Sequence, residues 1–261
     1  MVMKKFYLIA AMAVSVLVAN AQATLRLSTY QGTNLQKFDG KQCNITVDRY
    51  VFTGWNTISL PFALTEDEVN EAFGSDCTLE KLVGAESCGN SVVLNFQDCK
   101  EQGIEANTPY ILHYKGNSTS VKIKKEARVT DNESTLTYFI KGMAETVTMV
   151  GTQTKTSGKN MYGVLVRDNA EAKFVKVDED KSNVYATRCY IETSSSTPLT
   201  FITNHLGRGE VTSISNVVKG NEKVDVYNLS GVRVSSKATA DAVNQLPAGV
   251  YVVKGQKVIV K

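Results

Sequence analysis

Short stretches in which apolar and polar residues alternate recur along most of the chain. Val, Thr, Ile, Tyr and Phe dominate these stretches, and Gly, Asn, Asp and Ser separate them. Alternation with a period of two is typical of β-strands that bury one face. The stretches between residues 24 and 203 are 24–30, 44–51, 55–62, 91–96, 109–114, 118–124, 136–142, 145–151, 161–166, 172–177, 184–192 and 199–203. Many short strands at this spacing indicate a sandwich or barrel, and we predict an all-β fold built on a β-sandwich.

One segment has helical periodicity instead. Residues 65–74, TEDEVNEAFG, begin with Thr65 as a helix N-cap and have Glu68 three residues later, which is the spacing of a capping box. Val69 and Phe73 share one face, and the glycine that ends the segment is a typical helix stop. The pattern predicts one short amphipathic helix packed against a sheet.

The two ends of the chain have patterns of their own. Two lysines precede an apolar run at residues 7–19, which is too short to span a bilayer comfortably, and small residues follow it. We predict a signal peptide, residues 1–21, cleaved between Ala21 and Gln22. No later stretch is apolar enough for a stable transmembrane segment.

The periodicity weakens after residue 203, which suggests a domain boundary. We predict a main β-sandwich domain over 22–203, a glycine-containing linker over 204–222 and a small β unit over 223–261. In this unit Asn228–Gly231 has the composition of a turn. The last stretch, 246–261 (LPAGVYVVKGQKVIVK), contains two strand signals around a Lys-Gly-Gln turn.

Charge and cysteine content limit the classes of function. Without the two lysines of the predicted signal peptide, 27 of the 29 basic residues remain against 26 acidic ones, so no nucleic-acid partner is expected. The five cysteines are Cys43, Cys77, Cys88, Cys99 and Cys189. The interval of eleven residues that separates the middle three does not fit a zinc site, and we predict neither a metal site nor a cofactor.

A turn at Gly89-Asn90 would fold 77–87 and 91–99 into a hairpin. Cys77 and Cys99 lie equally far from Cys88 along the chain, so we predict a Cys77–Cys99 disulfide. Cys88 then stays outside this bridge, and Cys43 with Cys189 is a second candidate pair.

No catalytic motif stands out. Whether the protein is an enzyme stays open, and the sequence favours a non-catalytic function. The one sensible Cys–His combination is Cys189 with His113 or His205, but Cys189 lies in an alternating strand pattern. No G-x-S-x-G motif occurs. Polar loops at 114–120 and 151–160 are candidates for ligand contact. Trp55, at the start of a strand, is expected to be mostly buried.

The tail resembles a known sorting signal. Its two parts, VDVYNLSGVRVSS and LPAGVYVVKGQKVIVK, resemble the type A C-terminal sorting domain of the type IX secretion system of Bacteroidota. The matching residues are Tyr227, Asn228, Leu229, Ser230, Gly231, Leu246, Pro247, Gly249, Tyr251 and Lys261. The resemblance implies recognition by that secretion machinery, passage across the outer membrane and a location at the cell surface or outside the cell.

The middle of the chain resembles a β-rich family of secreted proteins from Bacteroides and Prevotella relatives. The stretches GWNTISLPFALTEDEVNEAFG, IEANTPYILHY and VYATRCYIE carry this resemblance. It implies a fold and a source but no activity. The sequence therefore predicts an exported, non-catalytic, adhesin-like protein that binds a glycan or a protein. The alternative is a hydrolase, or a hydrolase accessory domain, that acts on glycan or protein.

Overall fold

The computed structural model describes residues 22–157, 161–165, 173–177, 183–206 and 212–260. The predicted signal peptide, with Ala21 at its cleavage site, and Lys261 of the tail motif lie outside the described residues. The described chain is mostly β, so the predicted all-β class is confirmed. Among these residues, no helix has the length and apolar character needed to cross a bilayer.

The predicted main domain contains thirteen strands in its described part and one α-helix. In chain order these are β1 (Ala23–Ser28), β2 (Gln42–Tyr50), β3 (Gly54–Ile58), α1 (Glu66–Phe73), β4 (Thr78–Cys88), β5 (Ser91–Asp98), β6 (Tyr110–Tyr114), β7 (Ser120–Arg128), β8 (Thr135–Lys141), β9 (Thr146–Thr152), β10 (Met161–Leu165), β11 (Lys173–Lys176), β12 (Arg188–Thr193) and β13 (Thr200–Leu206). Single-turn 3-10 helices lie at Leu35–Lys37 and Lys100–Gln102.

A three-stranded sheet forms the first layer. Strand β1 runs parallel to β2, and β2 runs antiparallel to β7. Along β2 burial alternates with the sequence, because Ile45 and Val47 face the core. Helix α1 packs Val69 and Phe73 into the same core. Its predicted capping box with Thr65 is present.

A ten-stranded sheet forms the second layer. Its strands follow the order β11-β10-β12-β9-β8-β4-β5-β13, and β6 pairs with β4 while β3 pairs with β6. Strands β4 and β5 form the predicted hairpin, and β13 runs parallel to β5. One face of this sheet buries a large apolar cluster that includes Trp55, Leu82 and Phe96.

A fully buried arginine ties the two layers together. The Arg49 guanidinium on β2 donates hydrogen bonds to the carbonyls of Thr57 and Thr187, and to the Thr187 hydroxyl at 2.8 Å. Burial, followed by the nearby charge of Arg188, lowers the pKa of Arg49. Carbonyl dipoles therefore take the place of a carboxylate partner at this junction.

The C-terminal part forms a separate five-stranded sheet. Its elements are β14 (Thr212–Ser213), α2 (Ile214–Val217), β15 (Val224–Asn228), β16 (Arg233–Ala238), α3 (Ala240–Asn244), β17 (Gly249–Val253) and β18 (Gln256–Val260). The strand order is β14-β18-β17-β15-β16. Buried residues of α2 and α3 pack on one face of this sheet. The two strand signals of the tail therefore correspond to β17 and β18, and the Lys-Gly turn between them is present.

Parts of the predicted linker, 204–222, form regular structure. Residues 204–206 complete β13, while 212–217 form β14 and α2. The reason is burial, because Ile214, Val217 and Val218 belong to the C-terminal core. Helix α3 was not expected from the polar stretch that forms it. Its N-cap, Thr239, accepts a hydrogen bond from the Ala242 N–H.

The predicted disulfides are not formed. None of the five cysteines, all of which lie in described residues, is in a disulfide: Cys43, Cys77, Cys88, Cys99 and Cys189. The β4–β5 hairpin turns at Gly89-Asn90. Farther from the turn, a bulge in β4 between Leu82 and Gly84 shifts the register by one residue. Cys99 therefore lies opposite Leu79, whose carbonyl accepts its N–H at 2.9 Å. Cys77 lies two residues beyond that partner, so the expected Cys77–Cys99 pairing was wrong by this offset.

Candidate binding cleft

A cleft of about 310 Å³ opens beside the start of β3. One wall is the turn before β3, another is the β10–β11 hairpin, and a third is the segment that enters β12. Valines and aromatic rings make up much of its described lining, together with amide and cationic side chains. The lining residues are Phe52, Trp55, Asn56, Thr57, Gly163, Val164, Val175, Lys176, Val177, Asn183, Val184, Arg188 and Cys189.

The turn that carries Phe52 is held rigidly. The buried side chain of Asn56 accepts a hydrogen bond from the Phe52 N–H at 3.1 Å and donates to the Phe52 carbonyl at 2.8 Å. It also donates to the Gly54 carbonyl at 3.0 Å. Gly54 has a φ of +104°, a conformation that favours glycine. The Phe52 side chain is 46% exposed at the cleft on a backbone that is already ordered.

A cation lies against this exposed ring. The guanidinium carbon of Arg188 is 5.8 Å from the Phe52 ring centroid, and Arg188 donates to the Tyr50 carbonyl at 2.7 Å. The Tyr50 ring meets Phe52 edge-on at 4.9 Å. Burial lowers the pKa of Arg188. Because the cation is partly desolvated, its contact with the ring is stronger than it would be in water.

A second aromatic pair, outside the cleft lining, also lies near a cation. The rings of Tyr30 and Tyr185 meet edge-on at 5.3 Å, and the Lys155 ammonium lies 6.0 Å from the Tyr185 centroid. Tyr30 is exposed. Lys155 comes from the predicted loop 151–160, whose residues 158–160 lie outside the described chain. The other predicted loop, 114–120, supplies the Gly116 carbonyl that accepts the Thr53 hydroxyl at 2.7 Å.

Trp55 lines the cleft and is 9% exposed, as expected for a mostly buried residue. Its ring stacks on the His205 imidazole at 4.6 Å with an interplanar angle of 14°. It also meets the His113 ring edge-on at 4.9 Å. Burial, followed by the charges of Lys115 and His205, lowers the pKa of His113. The two histidines of the chain therefore support the tryptophan at the cleft.

Behind Trp55 lies a buried acid–imidazole pair that sequence reasoning missed. Glu80 Oε2 on β4 is 2.5 Å from His205 Nδ1 on β13, and the two residues are 1% and 8% exposed. Among the described residues, no hydrogen-bond partner reaches Glu80 Oε1 or His205 Nε2, although both atoms are buried. The one sequence signal was a Glu at a core-facing position of the β4 pattern, two residues before Leu82. The partners are 125 residues apart in the chain, so the contact required knowledge of strand order.

The Cys–His arrangement is not assembled. The Cys189 thiol contacts the Tyr110 carbonyl at 3.9 Å, while the rings of His113 and His205 contact Trp55. Burial raises the pKa of Cys189 to about 12, and a thiol of that kind is unreactive. Within the described residues, no group of three or more His, Cys, Asp or Glu side chains could hold a metal ion.

The described residues of the tail motif lie in or beside two turns of the C-terminal sheet. Asn228 Oδ1 accepts hydrogen bonds from the N–H groups of Ser230 and Val232, which fixes the Asn228–Gly231 turn. The Tyr251 hydroxyl donates to the Pro247 carbonyl at 2.8 Å. The remaining motif residues lie near these two points: Tyr227, Leu229 and Gly231 beside the first, and Leu246 and Gly249 beside the second.

Comparison of the chain with protein-family models, with curated proteins and with solved structures gives no match.

Proposed function

We propose that the protein is an exported, non-catalytic, adhesin-like binding protein. Its ligand site is the cleft beside the start of β3, which Phe52 lines. The observation that carries the proposal is an exposed aromatic ring on a pre-ordered turn at the mouth of a cleft, with a guanidinium against it. Rigid aromatic anchors lose little conformational entropy on binding, and they dominate the energetics of many recognition surfaces. The ligand is a glycan or a protein.

The chemistry of the cleft favours binding over hydrolysis. Its described lining contains no Asp or Glu, so the two carboxylates that glycosidases need do not converge there. The volume lies at the lower end of the range for small-ligand sites and suits one sugar ring or one large side chain. Asn183 and Lys176 are exposed and can donate hydrogen bonds to hydroxyl or carbonyl groups of such a ligand.

One observation favours the hydrolase alternative. Glu80 and His205 form a close acid–imidazole pair with one unsatisfied atom on each side. The burial of both residues argues that the pair orients Trp55 and does not reach a substrate. A broad hydrolase screen of the wild-type protein and Glu80→Gln tests this alternative. Activity that Glu80→Gln abolishes, while circular dichroism shows the variant to be folded, would favour the hydrolase.

The ligand site can be tested by matched phenylalanine variants. Wild type, Phe52→Ala and Phe139→Ala would be compared on glycan arrays and immobilised matrix proteins. Phe139 on β8 is 78% exposed and is not part of the cleft lining, so it controls for loss of any surface phenylalanine. We expect Phe52→Ala to weaken binding at least about tenfold, which corresponds to about 1.4 kcal/mol, and Phe139→Ala to bind normally. Equal binding by wild type and Phe52→Ala would contradict the proposed site.

Export by the tail is a separate part of the proposal. It rests on the motif resemblance, and the fold of residues 212–260 as a β unit of its own supports it. In a bacterium with type IX secretion, deletion of 223–261 should leave the protein inside the outer membrane. Normal amounts of the truncated protein at the cell surface would end the sorting hypothesis without affecting the proposed ligand site.

A further inference from the structure

The β17–β18 hairpin of the C-terminal unit, residues 212–260, has two apolar faces. On one face Val253, Val258 and Val260 pack into the core formed with α2 and α3. On the other face Val250 and Ile259 lie opposite each other, and they do not belong to that core. A second apolar face on a small sheet must be covered by another element to stay out of water.

The main domain provides this cover. Val250 and Ile259 pack with Cys88 at the end of β4, Val93 on β5 and Ile202 on β13, and together they form a distinct cluster. Val93 and Ile202 are direct partners in the parallel β5–β13 pairing, so they present one apolar strip. We call Cys88, Val93 and Ile202 the docking strip.

Polar contacts cross the same boundary. Lys257 is buried, and its ammonium donates a hydrogen bond to the Thr203 carbonyl on β13 at 3.1 Å. The Cys88 Sγ atom lies 4.0 Å from the Val260 carbonyl oxygen. A buried ammonium needs such partners, because transfer of a charge out of water is costly without them. These contacts therefore fix the orientation of the hairpin on the strip.

The β4–β5 turn approaches the C-terminal unit very closely. A Cβ on Gly89 would lie 2.2 Å from the Ala248 carbonyl oxygen, so no side chain fits at this position. An open cavity of about 600 Å³ lies between this turn and two segments of the C-terminal unit, Asn228–Ser230 and Pro247–Tyr251. Both turns that carry the tail motif therefore face the main domain.

We propose that the docking strip is an interaction surface for the β17–β18 hairpin. The C-terminal unit covers this strip and can undock from the main domain. Undocking exposes the strip, the Cys88 thiol and the side of the motif turns that faces Gly89. The inference goes beyond the proposed function and depends on neither the ligand cleft nor the export role.

Chemical footprinting of the purified protein tests the docking from both sides of the boundary. Cys88 would be alkylated with iodoacetamide and Lys257 acetylated under native conditions, and both rates would be read by peptide mass mapping. The first pair of variants is Val250→Asp, on the hairpin face against the strip, and Val234→Asp, on the exposed side of β16. We expect at least about a tenfold rise of both rates in Val250→Asp and wild-type rates in Val234→Asp.

A second pair separates undocking from local damage. Gly89 and Gly220 have nearly equal φ values of +57° and +58°, but a Cβ on Gly220 meets nothing within 4 Å. Gly89→Ala and Gly220→Ala therefore share the backbone strain, and only Gly89→Ala collides with Ala248. We expect Gly89→Ala to raise the acetylation rate of Lys257, which lies far from the altered turn in sequence, whereas Gly220→Ala should not. Fast modification of Cys88 and Lys257 in the wild type, or protection of both in Val250→Asp and Gly89→Ala, would overturn the proposal.

Discussion

The Glu80–His205 pair allows a sharp test of the core behind the cleft. Replacement of Glu80 by Gln keeps the shape of the side chain and removes its charge. His205→Leu removes Nδ1, the atom that contacts Glu80, and keeps a buried side chain of moderate size. Together with the double variant, these changes form a thermodynamic cycle that isolates the interaction between the two side chains.

The expected magnitude follows from burial and distance. Removal of one partner from a buried hydrogen bond destabilises a protein by about 1–3 kcal/mol, because the other partner stays buried without a hydrogen bond. The 2.5 Å contact and the 1% and 8% exposures place this pair in that class. We expect each single variant to lower the free energy of unfolding by about 1–3 kcal/mol. The double variant should lose little more, which corresponds to a coupling energy of similar size.

Urea unfolding followed by far-ultraviolet circular dichroism is the appropriate assay. Tryptophan fluorescence is unsuitable as the sole probe, because Trp55 stacks on His205 and its signal would change without any change in stability. Glu126→Gln, the same chemical change on the exposed side of β7, is the control and should stay within about 0.5 kcal/mol of wild type. Additive effects of the two single variants, or a loss below about 1 kcal/mol for Glu80→Gln, would refute the reasoning.

Three further predictions concern local features. Trp55→Ala should lower the free energy of unfolding by about 3–5 kcal/mol, measured by urea titration, as large buried aromatic truncations do. Thr65→Ala should cost about 1 kcal/mol because it removes the capping box of α1, and a change below about 0.3 kcal/mol would contradict this role. The lowered pKa of His113 means that the unfolded chain binds a proton more readily than the folded one, so stability should fall as the pH drops through about 6.5. Between pH 8 and pH 5 the urea midpoint should fall less steeply for His113→Gln than for wild type. An equal fall in both proteins would exclude His113 as the cause of the pH dependence.

The local features of the fold could be predicted from residue patterns. Alternation along β2 indicates which residues face a core. The Thr65 capping box, the burial of Trp55 and the turn chemistry of Asn228 also followed from nearby residues. These predictions succeeded because periodicity and capping depend on interactions within a few residues of the chain.

Contacts between distant strands were decided by the tertiary structure alone. The turn at Gly89-Asn90 alone would set Cys99 three residues out of register with Cys77, and the one-residue bulge in β4 reduces this offset to two, so that Cys99 lies opposite Leu79. His205 meets Glu80 only because β13 adds in parallel to β5. A period of two tells which face of a strand is buried, but it does not tell which strand or domain covers that face, since many pairings bury similar apolar area. The docking strip and the cleft both arise from this choice, which requires the packing of the whole chain.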